Sequence, residues 1–157
     1  MIEERHDSLF DSGADALVNT VNCVGVMGKG LALEFRIRYP EMFRAYKKAC
    51  EAHTIQVGVV TWWSNDGGSF RPSGLPKYIL NFPTKEHWRN PSQLTWIDAG
   101  LTDLVAVVRT LKVKSLAVPA LGCSNGGLHW VDVEPLIRRA FVHLHGVRVF
   151  LYPPKEM

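Results

Sequence analysis

The sequence predicts an α/β protein in which a mixed, mostly parallel sheet lies between two layers of helices. Short apolar runs rich in β-branched residues predict the strands, and longer segments of helical period alternate with them. The runs occupy residues 16–21, 57–63, 78–82, 116–119 and 147–152. Residues 1–5 are a candidate edge strand despite their charges, and residues 65–76, which are rich in Gly, Pro and Ser, are a predicted loop.

The segments between the strands predict four helices. The first, residues 31–39, is closed by Pro40, which cannot continue a helix. Residues 41–52 and 92–111 repeat apolar side chains at offsets of three and four. The last segment, residues 132–144, has Asp132 as its predicted cap and Pro135 in its predicted first turn. Each helix is therefore expected to cover the sheet with an apolar stripe.

The composition is that of one compact domain. The chain has 157 residues, of which 46% are hydrophobic and 21% charged. No apolar stretch is long enough to span a membrane, and acidic residues stand where a signal peptide would be basic and then apolar. Cys23, Cys50 and Cys123 are odd in number and widely spaced, which indicates free thiols. We therefore expect a cytoplasmic protein without a membrane partner. The net charge of +3 is compatible with a polyanionic partner but does not indicate one.

A glycine-rich segment, the first loop (residues 22–30), follows a predicted strand and leads into a helix. Gly28 and Gly30 permit close approach of the backbone, and a helix N-terminus offers free N–H groups to a phosphate. The motif is not a Walker A loop, because Gly30 rather than Ser or Thr follows Lys29. It is not a dinucleotide fingerprint, because Leu33 stands where a third glycine is needed. The alternative is a turn that only admits the chain to the helix.

A second glycine-rich segment, the second loop (residues 120–128), follows another predicted strand. Ligands of such sheets bind beyond the carboxyl ends of the strands. Neither loop contains an acidic residue, so both can offer backbone N–H groups to an anion without repulsion. Two such loops on neighbouring strands predict a diphosphate site, and the alternative is a pair of unrelated turns.

No motif predicts a metal site. His143 and His145 have no third ligand at metal spacing, and we interpret them as a helix end and a turn. We expect neither a metal nor a cofactor.

Three segments of the sequence resemble the macrodomain of DarG-type antitoxins. They are ALVNTVNCVGVMGKG at residues 16–30, NFPTKEHWR at residues 81–89, and LGC followed by NGGL within residues 121–128. The resemblance implies a three-layer macrodomain over residues 1–157, with ADP-ribose held across the two loops. For the DarG branch it implies a DNA ADP-ribosyl glycohydrolase that removes ADP-ribose from thymidine bases in single-stranded DNA and counteracts a DarT-type toxin. It further implies that the chain is the N-terminal part of a longer antitoxin, whose remaining domain contacts the toxin.

The resemblance also implies roles for individual residues. Asn22 matches the asparagine beside the distal ribose, and Lys85 matches the lysine considered catalytic, so both are expected catalytic residues. The expected ADP-ribose contacts are Ser8, Leu9, Asn19, Asn22, Gly28, Gly30, Leu31, Thr84, Gly122, Cys123, Ser124, Asn125 and Gly126. Within that set, residues 28–31 would line one phosphate and residues 122–126 the other.

Several positions depart from the family pattern. Residues 7–9 read Asp-Ser-Leu where macrodomains often have Gly-Asp-Ile or Gly-Asn-Ile, which leaves the adenine contact open. Ala120, Ser124 and His129 stand where Pro, Gly and Asp are expected. Gly126 stands where related eukaryotic lysine-dependent hydrolases carry an Asp, so this chain cannot use that acid.

Two routes of bond cleavage are open to a lysine beside the anomeric carbon. In the covalent route Lys85 attacks as a neutral amine, which requires its pKa to be lowered by desolvation or by a nearby cation such as Arg89. A Schiff base with the opened ribose would follow, as is proposed for lysine-dependent relatives. In the other route a charged Lys85 stabilises the departing base while water attacks. Without the resemblance, Lys85 would be interpreted as a solvated loop lysine.

The residues after Lys85 form an aromatic and basic cluster of His87, Trp88 and Arg89. Proteins bind single-stranded nucleic acid by stacking bases on such rings and contacting phosphates with such cations. We therefore expect this cluster to contact the DNA base. The alternative is a tryptophan buried in the core with its charged neighbours in water.

Other functions are compatible with the same sequence. One is an ADP-ribose reader without catalysis, because a phosphate-binding fold need not cleave its ligand. Another is a hydrolase of protein-linked ADP-ribose. A third is a cysteine hydrolase that uses Cys23 or Cys123 with His129. A proton relay through His129 is a further hypothesis, against a purely structural role.

Overall fold

The computed structural model describes residues 1–65 and 75–155, so the predicted loop at residues 65–76 lies largely outside the described residues. Within the described residues, the strands are β1 (Ile2–Glu4), β2 (Ala16–Val21), β3 (Thr61–Ser64), β4 (Tyr78–Pro83), β5 (Ser115–Val118) and β6 (Arg148–Leu151). The helices are α1 (Gly30–Arg38), α2 (Pro40–Glu51), α3 (Leu94–Thr110) and α4 (Trp130–Phe141). A short 3-10 helix covers Leu9–Asp11.

The strands form a single sheet in the order β1-β6-β5-β2-β4-β3. β3 runs antiparallel to β4, and the other neighbouring strands pair in parallel. The predicted mixed, mostly parallel sheet is therefore confirmed. Because β5, β2 and β4 are adjacent and parallel, the loops that follow them leave from one edge of the sheet, where ligands of α/β proteins bind.

Alternating side chains of the strands bury two apolar layers. Leu17 and Ile79 pack in one cluster with residues of α1 and α2, whereas Val18 and Leu80 pack in another with residues of α3 and α4. This period of two is what a sheet covered on both faces requires. The expected three-layer arrangement is thus confirmed. Among the described residues, no helix has the length and apolar character needed to cross a membrane.

Two edge regions differ in how well their strands were predicted. β1 forms at the predicted place, and ion pairs between Glu4 and Arg138 and between Glu3 and Arg148 match its charges. β3 is shorter than predicted and begins at Thr61 rather than at residue 57. Gly58 adopts a φ of +84°, and the Val60 N–H donates to the Asp103 carboxylate at 2.6 Å instead of to a strand. The first apolar residues of that run therefore form a turn.

The last helix begins earlier than predicted. α4 starts at Trp130 with His129 at its N-cap position, and no side chain caps it, so the predicted capping role of Asp132 is wrong. Asp132 lies in the first turn, where it still favours the helix dipole. Pro135 consequently lies inside the helix rather than in its first turn. Trp130 packs against the core beneath α3 and α4, which explains why the helix includes it.

Candidate functional site

A cavity of about 320 Å³ opens at the edge of the sheet where β2, β4 and β5 end. Three segments enclose it: the first loop, the second loop, and the lysine loop (residues 84–90) that follows β4. Its lining residues are Thr20, Val21, Asn22, Val26, Gly28, Lys29, Leu31, Ala32, Thr84, Lys85, Trp88, Ala120, Gly122, Ser124, Asn125 and Gly126. The charged members of this lining are both lysines, so the cavity favours an anion.

The first loop ends in helix α1, whose N-terminus faces the cavity. Lys29 occupies the N-cap position with extended backbone, and no side chain caps the helix. The first helical bond runs from the Leu33 N–H to the Lys29 carbonyl at 3.3 Å. The N–H groups of Gly30, Leu31 and Ala32 donate to no acceptor among the described residues. These free donors and the positive end of the helix dipole suit a phosphate.

The second loop is closed by its own backbone. The Leu128 N–H donates to the Gly122 carbonyl at 2.9 Å, and the Ser92 N–H donates to the Gly126 carbonyl at 2.9 Å. Within the described part of the chain, the N–H groups of residues 124–126 have no acceptor. The two loops adjoin, because a Cβ atom on Gly30 would lie 3.3 Å from the Asn125 side-chain nitrogen. Two sets of free amides thus border one cavity.

Hydrogen bonds join the lysine loop to the first loop. The Thr84 N–H donates to the Val21 carbonyl at 2.9 Å, which extends the pairing of β4 with β2 past the last strand residues. The Cys23 N–H donates to the Glu86 carbonyl at 3.1 Å. Thr84 is buried and lines the cavity. The lysine loop is therefore held against the wall that the first loop forms.

Asn22 lines the cavity and also organises the first loop. Its Oδ1 accepts hydrogen bonds from the Val24 and Val26 N–H groups at 3.1 and 3.3 Å, and its Nδ2 donates to the Val26 carbonyl at 2.8 Å. The Tyr46 hydroxyl lies 2.8 Å from Oδ1. One N–H of Nδ2 is left for a ligand, so Asn22 can donate to a ribose oxygen but cannot act as a base.

Lys85 reaches the cavity from the lysine loop. Its Nζ donates to the Trp88 carbonyl at 3.1 Å. Partial burial lowers the pKa of Lys85, and the positive charge of Lys29 lowers it further. Desolvation, the first of the two predicted causes, is therefore the larger one, and the cation that contributes is Lys29 rather than Arg89, whose guanidinium lies 4.7 Å from the centre of the Trp88 ring.

The cluster after Lys85 forms an exposed aromatic surface beside the cavity. Trp88 is 44% exposed and lines the cavity, so it is not part of the core. His87 stacks against it with ring centres 5.3 Å apart, and Arg89 covers the same ring. His87 and Arg89 do not line the cavity but flank the tryptophan that does.

Several predicted contacts do not line the cavity. Ser8 is exposed, and its hydroxyl caps the short 3-10 helix by accepting from the Phe10 N–H at 3.3 Å. Leu9 is buried in the core beneath α1 and α2. Asn19 has no exposed surface, and its Nδ2 donates to the Asn81 Oδ1 at 3.2 Å. Leu9 and Asn19 therefore have no free side-chain surface for a ligand, contrary to expectation. Gly30 and Cys123 lie next to lining residues without lining the cavity themselves.

The cysteines lack the properties of nucleophiles. Burial raises the pKa of Cys23 to about 11, and burial likewise raises the pKa of Cys123 to about 11. A nucleophilic cysteine needs a lowered pKa, because the thiolate is the reactive form. Their predicted partner His129 is exposed and does not line the cavity. The cysteine-hydrolase hypothesis therefore finds no support in this geometry.

Sequence reasoning missed several lining residues. In the sequence, Lys29 was considered only as evidence against a Walker A motif, although it is one of the two charged residues that line the cavity. The other lining residues that were not predicted as ligand contacts are Thr20, Val21, Val26, Ala32 and Ala120. Their position at strand ends and at a helix start was the available signal. The described residues contain no cluster of His, Cys, Asp or Glu that could hold a metal ion.

A three-layer fold with a cationic cavity between two glycine-rich loops defines a class of domains that bind phosphate-containing ligands. The Macro domain family model matches residues 18–137. Two solved structures extend that match to nearly the whole chain. The macrodomain of Mycobacterium tuberculosis DarG is 51% identical, with a TM-score of 0.92 and 99% of both chains covered. The macrodomain of Thermus aquaticus DarG is 44% identical, with a TM-score of 0.90 and coverage of 98% and 99%. The chain therefore belongs to the Macro domain family, in the branch of the DarG macrodomains, and the resemblance drawn from the sequence is confirmed.

Longer relatives share the same region. A Mycobacterium tuberculosis protein named DNA ADP-ribosyl glycohydrolase is 52% identical over 157 residues, which cover 98% of this chain and 42% of the relative. This chain thus spans less than half the length of that relative. The structure of Thermosipho africanus DarTG in complex with ADP-ribose is 34% identical, with a TM-score of 0.89, and this chain covers 43% of it.

Proposed function

We propose that this chain is a DNA ADP-ribosyl glycohydrolase domain that removes ADP-ribose from thymidine bases in single-stranded DNA and so counteracts a DarT-type toxin. The observation that carries the proposal is that Lys85 shares one cavity with the two sets of free amides. The activity for which the Mycobacterium tuberculosis relative is named supports it.

The cavity suits the diphosphate of ADP-ribose. The free N–H groups at the start of α1 and in the second loop serve as donors to the two phosphates. Lys29 adds a second positive charge to that of Lys85, and Asp and Glu are absent from the lining. The remaining N–H of Asn22 donates to the distal ribose. The Thermosipho relative, which was solved with ADP-ribose, supports this ligand.

The lowered pKa of Lys85 favours the covalent route. The neutral amine attacks the anomeric carbon, and the bond from that carbon to the base nitrogen breaks with its electron pair leaving on the base. The base takes up a proton from the ammonium group formed on Lys85 or from water. Opening of the ribose ring gives a Schiff base, which water hydrolyses to free ADP-ribose and the amine.

The second loop cannot supply an acid to this reaction. A Cβ atom on Gly126 would collide with the Gly122 carbonyl oxygen and the Ser92 Oγ, so no carboxylate fits at this position. The lining contains no other acidic side chain. Lys85 and water are therefore the proton carriers at the anomeric carbon, in contrast to relatives with an Asp in this loop.

The exposed Trp88 ring is the proposed contact for the DNA. The ring lines the cavity on the side of Lys85 and remains 44% exposed. Stacking of the thymine or of a neighbouring base on the exposed part of this ring contributes about 1–3 kcal/mol. Arg89 and His87, which flank the ring, supply contacts to the phosphodiester backbone.

The test is turnover of a single-stranded oligonucleotide that carries one ADP-ribosylated thymidine. The wild type should release unmodified DNA, and Lys85→Ala should lose at least about 100-fold of this rate while calorimetry still detects ADP-ribose binding. The matched control is Lys77→Ala, because Lys77 precedes β4 at the opposite end of the strand. Intact substrate with tight ADP-ribose binding would identify a reader, and the absence of binding heat would overturn the proposal altogether. Turnover of ADP-ribosylated protein without turnover of the oligonucleotide would identify a hydrolase of protein-linked ADP-ribose instead.

We further propose that this domain is the N-terminal part of a longer antitoxin that acts in the cytoplasm. The aligned region covers only 42% of the Mycobacterium tuberculosis relative, and a Thermosipho relative is named as a fusion of a DNA ADP-ribosyl transferase with a glycohydrolase. The three cysteines are free, which suits a reducing compartment. In this proposal, the remaining part of the longer antitoxin contacts the toxin. Co-purification of the toxin with the longer protein, compared with this domain, tests that division.

A further inference from the structure

The orientation of the Asn22 amide is decided inside the first loop. Two backbone N–H groups, of Val24 and Val26, point at the same side-chain atom at 3.1 and 3.3 Å, so this atom must be the oxygen. The Nδ2 group then donates to the Val26 carbonyl at 2.8 Å. Asn22 is 8% exposed, and its one remaining N–H is the group it can offer to the cavity.

Helix α2 completes this arrangement through Tyr46. The Tyr46 hydroxyl lies 2.7 Å from the Asn22 main-chain oxygen and 2.8 Å from the Asn22 Oδ1. Both atoms are acceptors, so the single hydroxyl proton is shared between them. Tyr46 is 3% exposed, and its ring is packed in the core beneath α1 and α2. The hydroxyl therefore has no solvent alternative to these two acceptors, and the Cys50 thiol on the same helix also interacts with it.

The first loop rests directly on the same helix. Gly25 adopts a φ of +87°, and a Cβ atom there would lie 3.5 Å from the Lys47 Cγ and 3.6 Å from the Cys50 Cβ. Close packing of this loop on α2 leaves the Asn22 amide little freedom as long as the hydroxyl is present. Removal of the hydroxyl would leave the Asn22 main-chain oxygen without its partner and take away one of the four hydrogen bonds that hold the amide.

We propose that Tyr46 is a positioning residue that acts through Asn22: it holds the amide so that one N–H faces the ribose of the bound ligand. The inference rests on the proposed function, in which the cavity binds ADP-ribose. Tyr46 itself lies behind the cavity wall and does not line it. Its contribution is preorganisation, since a donor that is fixed before binding loses less entropy when the ligand arrives.

A double-mutant cycle on ADP-ribose affinity tests this role. Calorimetry should show about fivefold weaker binding for Tyr46→Phe than for the wild type, the effect of losing one hydrogen bond that orients a donor. In an Asn22→Ala background the same change should alter affinity by less than about twofold, because the amide that Tyr46 positions is gone. Tyr39→Phe is the matched control, because the Tyr39 ring packs on Phe35 near the start of α2 and does not contact Asn22. It should bind like the wild type.

Two calorimetric results would overturn the proposal: unchanged affinity in Tyr46→Phe, or an equal loss in both backgrounds, which would mean that the hydroxyl acts only through the fold. A ligand-free measurement separates this inference from the proposed function. In NMR spectra of labelled wild type, the Asn22 side-chain N–H protons should exchange slowly with solvent, and Tyr46→Phe should make this hydrogen exchange faster. An unchanged exchange rate would refute the positioning role even if the wild type binds no ADP-ribose. A wild type that binds ADP-ribose but leaves the oligonucleotide intact would refute the glycohydrolase function and leave the binding cycle to decide on Tyr46.

Discussion

The two glycine-rich loops look alike in sequence, but they differ in how much space surrounds their glycines. In the second loop, a Cβ atom on Gly126 would collide with the Gly122 carbonyl and the Ser92 hydroxyl, and one on Gly122 would lie 2.8 Å from Leu128. In the first loop, a Cβ atom on Gly28 would meet nothing closer than the Val26 Cγ1 at 3.5 Å, which is ordinary contact. Packing within the fold therefore requires glycine at residues 122 and 126, whereas the packing around Gly28 does not require a glycine.

The loops also differ in what holds them. Backbone hydrogen bonds close the second loop, between Leu128 and Gly122 and between Ser92 and Gly126. Within the first loop, the Asn22 side chain and its contact with Tyr46 provide the corresponding bonds, and one backbone bond from the Cys23 N–H joins the loop to Glu86. The second loop is therefore a rigid backbone cradle, and the first loop carries the side chains that tune ligand binding.

Replacement of Gly126 by alanine should damage the fold itself. The new methyl group overlaps two neighbouring atoms, and overpacking of this kind costs about 2–3 kcal/mol. Urea unfolding should show that loss, together with the loss of ADP-ribose binding. The matched control is Gly127→Ala, where nothing lies within 4 Å of the added atom and the cost is the left-handed φ of +77°, about 1 kcal/mol. Equal stability of the two variants would contradict the steric requirement at Gly126.

Replacement of Gly28 by alanine should leave the fold intact and weaken the binding of ADP-ribose. The free energy of unfolding should change by less than about 0.5 kcal/mol, because Gly28 is exposed and has no positive φ. The affinity for ADP-ribose should fall at least about tenfold, or about 1.4 kcal/mol, if the phosphate approaches this backbone closely. Calorimetry and urea unfolding of the same sample give both values. If a stable Gly28→Ala variant bound ADP-ribose with wild-type affinity, the ligand would not approach this part of the loop.

Lys29 should set the pH range in which Lys85 is active. The pKa of Lys85 is lowered by burial and by the charge of Lys29, and the neutral amine predominates above that pKa. The rate should therefore rise with pH until Lys85 is deprotonated. In Lys29→Met the pKa of Lys85 rises, so the rising limb should move to higher pH, and ADP-ribose should bind about threefold more weakly.

The pH profile of kcat/KM on the modified oligonucleotide measures this shift. Lys48→Met is the control, because Lys48 is an exposed lysine of α2 that does not line the cavity. A rate that falls as pH rises through the same range would instead indicate that Lys85 acts in its charged form.

The sequence was sufficient for the sheet and the helices wherever local pattern and tertiary environment agree. The runs that became β2 and β4 are buried on both sides, and their boundaries agree closely with the prediction. The strand predicted at residues 57–60 was wrong, because the Val60 N–H donates to the Asp103 carboxylate on α3, which is 43 residues away in the sequence. The prediction was also wrong at the start of α4, where burial of Trp130 outweighs the expected cap at Asp132.

The site was predicted unevenly for a similar reason. Glycines beyond strand ends indicate a phosphate cradle directly, so both loops could be found. The resemblance suggested Asn19 as a contact, but the alternation of β2 puts its side chain under the first loop beside Met27. Tyr46 could not be singled out, because in sequence it is one more apolar position on the buried face of α2. Its role depends on a contact with a residue 24 positions away.

The smallest expected effect concerns a matched pair of cysteines, one in each loop. Cys23 and Cys123 both have a pKa raised to about 11 by burial, so each thiol is protonated at neutral pH. Cys23→Ser and Cys123→Ser should therefore turn over the oligonucleotide within about twofold of the wild-type rate, because neither loop supplies a thiolate. Single-turnover assays of the two variants beside Lys85→Ala measure this. A large loss in only one of them would show that its loop contributes a nucleophile, and it would reverse the assignment of the chemistry to the lysine loop.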